Sequence, residues 1–515
     1  MRLAALPEAG DPHRGVRRFA EHRGELRDGC DVVVVGSGPG GAVAAKELAE
    51  AGLDVVLLEE GPPIGPADMR TEAGEAMGRL LREGGMRLTR GNAYIPTMQA
   101  RALGGGSLVN SAICCRAPGW ALDSWAEGHG LPDLGAGSLD DDFAAVEAFL
   151  GVSPTDEAVL GERNLLFKRG CDGLGYSSEP TPRNVKSCRG SAECFTGCRN
   201  GAKQSTDVSY VPAAIRAGAR VYASARADRV VTSGRRATGV AGRLVEPFTQ
   251  RESHPFVIEA RHVVLAAGCM ATPLLLQRSG LGGPAAGEHL LGHPGLALYG
   301  VFPHKVDPWT GATQGYHSLH FLREKMKLES LWGPAALLAV RFPGFGDEYK
   351  RHLLTYERMA PFDVFVAADH SRGSVRAQGR GLEPAIRYRL DPRDVALLQR
   401  GLGLLADICW AAGAESVMPG VHRVSPVLRR EQGTAPIREA SFRATDFTVS
   451  MNHVFGTTRM GASPKTSVVD SLGRCHDAEN VYVCDTGVFP GSTAVNPMLT
   501  CMALARRTAR AVAQA

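Results

Sequence analysis

The chain is 515 residues long, with 58 Lys and Arg against 54 Asp and Glu for a net charge of +4, and it is 44% hydrophobic, 22% charged and 6% aromatic. One hydrophobic core stops growing well short of that length, so two or more domains are expected, and a surplus of four charges is too small to imply a nucleic acid or an anionic membrane as partner. No window of 18 apolar residues is present to span a membrane. Met1 to Gly29 is mixed in charge and broken by Pro7 and Pro12, unlike a secretory leader, so a cytoplasmic location is expected. The 12 cysteines are too sparse for a disulfide scaffold and read mostly as reduced thiols in apolar surroundings.

The first clear pattern begins at residue 31. Asp31-Val-Val-Val-Val35 has the unbroken β-branched run of a buried parallel strand, and Ala42, Val43, Leu48 and Ala49 then recur at helical spacing. Gly52 sits where a helix ends, and Asp54-Val-Val-Leu-Leu58 is a second strand closing at Glu59. Residues 62–110 are rich in Gly, Pro and Arg and lead to Arg101-Ala-Leu-Gly-Gly-Gly-Ser-Leu-Val-Asn110, whose glycines permit close approach of backbone to a ligand. Short β runs follow at Arg220 to Ala223, Arg229 to Thr232 and Thr238 to Ala241. The buried strand His262-Val-Val-Leu-Ala-Ala-Gly268 and the apolar helix Leu274 to Gln277 read as a return to the first sheet. Beyond about residue 295 the texture changes. Alternating strands such as Pro361 to Ala367 and Ala385 to Leu390 suit an antiparallel sheet with one solvated face, while the apolar run Ala335 to Val340 is of strand length. Asp391-Pro392-Arg393-Asp394 supplies an Asp cap and a first-turn Pro for a helix to about Ala412.

Gly36-x-Gly38-x-x-Gly41 lies between the first strand and helix, with Glu59 at the end of the next strand. Glycines there let the backbone meet a pyrophosphate at the helix N-terminus, and the acid accepts from a ribose hydroxyl, so a dinucleotide site is expected and a 2′-phosphate is disfavoured. NAD and FAD share this motif. No second copy follows a strand, which argues against a flavin reductase that also docks a nicotinamide.

Four ordered blocks narrow the choice. They are Gly36 to Gly41 with Leu58-Glu-Glu-Gly61; Arg101 to Asn110; Gly268-Cys-Met-Ala-Thr-Pro-Leu-Leu-Leu-Gln-Arg-Ser-Gly-Leu-Gly282; and Asn452-His-Val-Phe-Gly-Thr-Thr-Arg-Met-Gly461 through Val481-Tyr-Val-Cys-Asp485 to Asn496-Pro-Met-Leu-Thr500. Together, from about Asp31 to Arg510, they resemble the glucose/methanol/choline family of FAD-dependent alcohol oxidases and dehydrogenases. The third block departs from the family pattern at Cys269, and the second runs on to Cys114-Cys115 where the family often has an aromatic or alanine. The resemblance implies an α/β fold: a Rossmann-like FAD-binding domain with a discontinuous antiparallel-sheet substrate domain. Residues 1–28 are then an N-terminal extension. Residues 29–294 are the first part of the FAD-binding domain, including a lid and flavin loop over 62–110 and a Cys segment over 185–206. Residues 295–450 form the substrate domain, and 451–515 return to the FAD-binding domain. In a branch of the family a His before the loop Asn anchors the flavin covalently; Val109 stands there, so the resemblance implies non-covalent FAD.

By the same resemblance His453 is the active-site base and Asn496 its partner, and Gly36, Gly38, Gly41, Glu59, Gly105, Asn110, Asp485, Asn496 and Pro497 hold the cofactor, with no metal. Alcohol oxidation needs a base near neutrality and a second polar group to orient the oxygen, which these types supply. Asn496-Pro497 also reads as a helix start with Asn as cap, and His293 as a structural residue near the flavin domain. Cys188, Cys194 and Cys198, followed by Gly201-Ala-Lys-Gln-Ser-Thr206, read as structural thiols or a local disulfide, with an iron–sulfur cluster or a zinc site as alternatives. The expected activity is oxidation of an alcohol to an aldehyde or ketone, with oxygen or another acceptor taking the electrons. A sugar-like or amino-sugar hydroxyl of secondary metabolism is the expected substrate; a sterol or long-chain alcohol, and a lyase on the same fold, are alternatives.

Overall fold

In chain order the elements that position the site are strands β1 (Val16–Arg17) and β2 (Leu26–Val35), helix α1 (Pro39–Glu50), and strands β3 (Val55–Glu59), β4 (Arg220–Ala223), β5 (Ala225–Ser233), β6 (Arg236–Val245) and β7 (Glu252–Leu265). They continue with helix α2 (Thr272–Arg278), strands β8 (Gly295–Val301), β9 (Tyr316–Ser318), β10 (Met326–Ser330) and β11 (Met359–Val366), helix α3 (Pro392–Ala411), strands β12 (Ser416–Met418) and β13 (Val481–Val483), and helix α4 (Met498–Ala513). The computed structural model describes residues 11–378 and 383–515, so the first ten residues of the expected extension lie outside the described residues.

The first sheet has the order β1-β4-β3-β2-β7-β6-β5, with β13 also paired to β7. Its centre is parallel: Val32 to Val35 of β2 register with Val55 to Leu58 of β3 on one side and with His262 to Leu265 of β7 on the other. These apolar runs are buried on both faces, as parallel strands covered by helices must be. β7 is the hinge of the design. Its N-terminal half pairs with antiparallel β6 and its last residues pair with β13, so a strand from the far end of the sequence completes the sheet.

The second sheet is antiparallel, with Leu428–Arg429 and Glu179–Pro180 at its two edges and the order β12-β8-β11-β10-β9 between them. One face carries Leu296, Leu298, Phe362, Val364, Met326 and Leu328, which pack with α3 and the helix Glu162–Leu174 in one continuous core. As expected, Asp391 caps α3 by accepting from the Arg393 backbone N–H.

Several expectations are refined. β2 starts at Leu26 and β1 lies at Val16–Arg17, so the span expected as an extension contributes strands to the first sheet. The apolar run after Pro334, of strand length, forms a short helix over Ala335–Ala339. The expected solvated face of the second sheet does not face solvent: its Lys327 and Glu329 are buried, and the face roofs an internal cavity. α4 begins at Met498 with Pro497 at its cap position, and the Asn496 side chain makes no cap, because both its polar atoms are directed elsewhere.

Two glycines of the first block are fixed by contact. Gly36 takes φ +104°, and a Cβ at Gly41 would stand 1.9 Å from the Gly36 carbonyl oxygen. Gly41→Ala therefore forces α1 off the sheet, and we expect a loss of about 1–3 kcal/mol in denaturant unfolding together with a lower flavin content of the purified protein.

Candidate active site

A single cavity of about 420 Å³ runs from the first βα turn to the roof formed by the second sheet. Of the residues singled out in the sequence, Gly36, Gly38, Glu59, Gly105, Asn110, His453, Asp485, Asn496 and Pro497 all line it. Gly41 does not line it; it lies behind the turn, where its lack of a Cβ lets α1 pack against Gly36.

At one end the cavity is built from backbone. Gly38 stands at the N-cap of α1, and a Cβ on Gly105, which has φ +51°, would come within 2.8 Å of the Gly38 Cα. Two glycine-bearing loops thus close on one another beside a helix N-terminus, the arrangement that suits a pyrophosphate. Glu59 is buried: one oxygen accepts from the Ser37 N–H (3.0 Å) and hydroxyl (2.6 Å), and the other from the Gly61 N–H (2.7 Å). Burial pushes its pKa up, while these donors oppose the shift. Asp485 joins the third and fourth sequence blocks, accepting from the Gly268 N–H (3.0 Å), the Thr272 hydroxyl (2.5 Å) and the Gly487 N–H (2.8 Å). The donor set, the glycine cradle and the helix end fit a dinucleotide, and they are continuous with the polar centre at the other end.

The Gly-Ala-Lys-Gln-Ser-Thr segment acquires a physical role here. Lys203, buried, donates to the carbonyls of Leu108 (2.6 Å), Asn110 (2.9 Å) and Cys194 (2.8 Å). The Thr206 hydroxyl reaches the carbonyls of Ser37 (2.9 Å) and Gly104 (3.1 Å). These bonds tie the glycine loop at 104–110 to the first turn. Cys188, Cys194 and Cys198 are free thiols around a neighbouring cavity of about 10 Å³, and Arg183 donates to the Cys194 sulfur at 3.0 Å. Among the described residues no group of three or more His, Cys, Asp or Glu is arranged to hold a metal ion, and no helix is long and apolar enough to cross a membrane.

At the other end stands a chain of polar groups. Lys327 on β10 donates to the Asn496 side-chain oxygen at 2.6 Å and pairs with Glu329, which also accepts from Gln314. An ammonium has donors only, so the Asn496 oxygen is committed to it and the Asn496 amide N–H₂ is turned toward His453 Nε2, 3.5 Å away. Nε2 is then the acceptor, and the His453 proton sits on Nδ1. That nitrogen is 3.3 Å from His293 Nδ1, and His293 Nε2 is 2.7 Å from the Ser492 hydroxyl. One tautomer pattern satisfies the whole series: His453 Nδ1–H donates to His293, and His293 Nε2–H donates to Ser492. Burial pushes the His453 pKa down to about 4, so the imidazole is neutral at physiological pH with a lone pair, not a proton, at Nε2. Phe365 fixes both rings, stacked on His293 at 4.9 Å and edge-on to His453 at 5.1 Å.

His453 and Asn496 are thus brought together as expected. His293, expected as a structural residue near the flavin domain, touches His453 directly, because the short strand Leu291–Gly292 pairs with Val454–Phe455. Lys327, Glu329 and Asp363 were invisible as site residues. Their only signal was charge inside an alternating strand, which is the ordinary mark of a solvated face.

Breaking a buried pair leaves an uncompensated charge. Lys327→Met is expected to cost about 3–5 kcal/mol in denaturant unfolding and to slow flavin reduction through a freed Asn496 amide. Adding Glu329→Gln is expected to recover part of the stability, so that the double variant unfolds later than Lys327→Met alone.

Comparison with known proteins gives the family and the fold. Two family models described as GMC oxidoreductase match residues 77–295 and 369–505, and one described as an NAD(P)-binding Rossmann-like domain matches 34–102. An uncharacterized GMC-type oxidoreductase of Mycobacterium tuberculosis is 35% identical over 92% of this chain and 74% of its own length. A long-chain-alcohol oxidase of Arabidopsis thaliana is 28% identical over 96% of this chain and 69% of its own, and a paromamine 6'-oxidase of Streptomyces fradiae 27% identical over 94% and 91%. The crystal structure of a pyridoxine 4-oxidase from Mesorbium loti shares the fold, with a TM-score of 0.69, 19% identity and coverage of 94% of this chain and 99% of that one. The chain belongs to the GMC oxidoreductase family, the glucose/methanol/choline group that its four sequence blocks resemble, and its cofactor is FAD.

Proposed function

We infer that this flavoprotein oxidises a secondary or primary alcohol to the ketone or aldehyde, with a sugar-like or amino-sugar hydroxyl as its substrate. The observation that carries the reading is the neutral His453 Nε2 beside the Asn496 N–H₂, inside a cavity continuous with the dinucleotide cradle. His453 Nε2 takes the hydroxyl proton, and the Asn496 amide N–H donates to the oxygen as charge grows on it. When bound, the flavin supplies the acceptor for the hydride that leaves the same carbon. His293 and Ser492 hold the imidazole in the tautomer that keeps Nε2 unprotonated. Gly36, Gly38, Gly105, Glu59, Asn110, Asp485 and Pro497 hold the cofactor. Val109 in the cavity wall offers no nucleophile to it, which supports non-covalent binding.

The polar roof of Gln314, Glu329, Arg341 and Asp363 favours a polyhydroxylated substrate, and a relative named paromamine 6'-oxidase supports it. A second reading has its own support. Leu81, Met98, Ile113, Phe195, Leu331 and Trp332 make an apolar wall in the same cavity, and relatives named long-chain-alcohol oxidase match nearly the whole chain.

Anaerobic titration of the holoenzyme with amino sugars, simple sugars, a sterol and a long-chain alkanol tests both. Bleaching of the flavin band by sugars supports the first reading, bleaching by the alkanol or sterol the second, and no bleaching by any alcohol removes both in favour of a lyase. Colour returning on admission of air identifies oxygen as the acceptor. His453→Ala is expected to slow flavin reduction about 10²- to 10⁴-fold with bound flavin retained. Because only neutral imidazole accepts the proton, the reduction rate is expected to be flat near neutrality and to fall as pH drops through about 4; stopped-flow reduction across pH reads this directly.

A further inference from the structure

The roof of the cavity has an unfilled position. On the face of the second sheet that looks inward, Asp363 of β11 lies directly opposite Glu329 of β10 and Ala297 of β8. Phe365, two residues along the same strand and on the same face, lies opposite Lys327 and Gly295. Opposed side chains in an antiparallel pair start only about 5 Å apart at Cβ, so two carboxyl groups share one small patch. Their situations differ. Glu329 is 1% exposed and has both oxygens engaged, one by Lys327 and one by Gln314. Asp363 borders the cavity, and its Oδ1 is shut off from water with no hydrogen-bond donor. Arg341 borders the same cavity but forms no ion pair among the described residues; it and Lys327 act on Asp363 only through space.

A buried carboxyl oxygen without a donor is expensive to leave unmade. Burial and the neighbouring Glu329 charge push the Asp363 pKa well up, outweighing the opposing pull of Lys327, Arg341 and a hydrogen bond from Gln314, so the patch is short of positive charge. An incoming anion meets two carboxyl groups there and is disfavoured. A hydroxyl supplies a donor and relieves one of the two costs. An ammonium supplies a donor and a charge and relieves both, while the Lys327–Glu329 pair beside it is already neutral.

Distance fixes where that group sits in the substrate. Phe365 touches His453, and Asp363 is two residues further along a strand, roughly 7 Å. That separation is about the span of one sugar ring or a short aliphatic chain.

We propose that Asp363 is the substrate-selecting residue of this site and that it takes an ammonium group carried about one ring's width from the oxidised carbinol. The inference rests on the alcohol-oxidation reading only for where the carbinol lies. The neighbouring strand places only the small residues Gly295 and Ala297 opposite Phe365 and Asp363.

The test uses holoenzyme, wild type and Asp363→Asn, with ω-amino alcohols from aminopropanol to aminohexanol and the α,ω-diols of equal length. Binding is read by calorimetry and oxidation by anaerobic flavin bleaching, and thermal melting and flavin content establish that the variant is folded and loaded. Wild type is expected to bind the best-matched amino alcohol about 10- to 100-fold more tightly than its diol, and the amide variant to bring that ratio near one. Asp363→Glu, which restores the charge on a longer arm, is expected to regain a preference for amines with the optimum at a shorter chain. Equal binding of amines and diols by wild type, or an amine preference that survives in Asp363→Asn, overturns the proposal. Amines that bind through Asp363 and never bleach the flavin support the proposal and count instead against alcohol oxidation.

Discussion

A donor-only cation sits at the root of the proposed active site. An amide side chain can present either its oxygen or its nitrogen to a substrate, and an imidazole can carry its proton on either ring nitrogen, so the His453–Asn496 pair by itself has several equivalent states. Lys327 removes that freedom. Because an ammonium can only donate, its 2.6 Å bond to Asn496 assigns the amide, the amide assigns His453 Nε2 as acceptor, and His293 and Ser492 complete the same sense of donation. Glu329 makes the arrangement tenable, since a lone buried ammonium beside two neutral imidazoles would lose its proton or its burial.

The two ends of the cavity use different chemistry for one reason. The cofactor end must meet a large, charged but invariant ligand, and it does so with backbone N–H groups, a helix end and glycines that remove steric bulk. Lys203 and Thr206 stabilise that geometry from behind by holding carbonyl groups of the glycine loop and the first turn, which is how a segment that never enters the cavity shapes it. The roof, by contrast, is made of side chains on strands. A strand face can be rewritten residue by residue without moving the backbone, so the second sheet is a natural place for substrate choice.

The inward face of that sheet also resolves a conflict between pattern and location. Strand β10 alternates apolar and polar residues as a half-exposed strand does, while β8 and β11 are largely apolar and add Asp363 as their one charge. Their apolar side packs on α3, yet the polar side is covered too, by the cofactor-binding half of the molecule. Charges that read as solvent-facing are therefore held at low dielectric, where each one must find a partner or a ligand. Lys327 and Glu329 found each other; Asp363 keeps one oxygen without a donor.

The first sheet, α1 and the dinucleotide end were legible in the chain because their signals are local: an apolar run, glycines at fixed spacing and an acid at the end of the next strand all lie within about thirty residues, the reach of one βαβ unit. His453 and Asn496 were legible only through resemblance, since nothing in one His and one Asn separated by 43 residues declares that they meet. Three further matters were decided by tertiary structure alone. The exact start of α4, and with it the release of Asn496 from capping, depends on Lys327 competing for its oxygen. The contact of His293 with His453 depends on the pairing of two short strands far apart in sequence. The burial of Lys327, Glu329 and Asp363 depends on which half of the protein lies over a sheet face. Period along a strand tells which residues share a face; it carries no information about what covers that face, and the electrostatics of this active site follow from the cover.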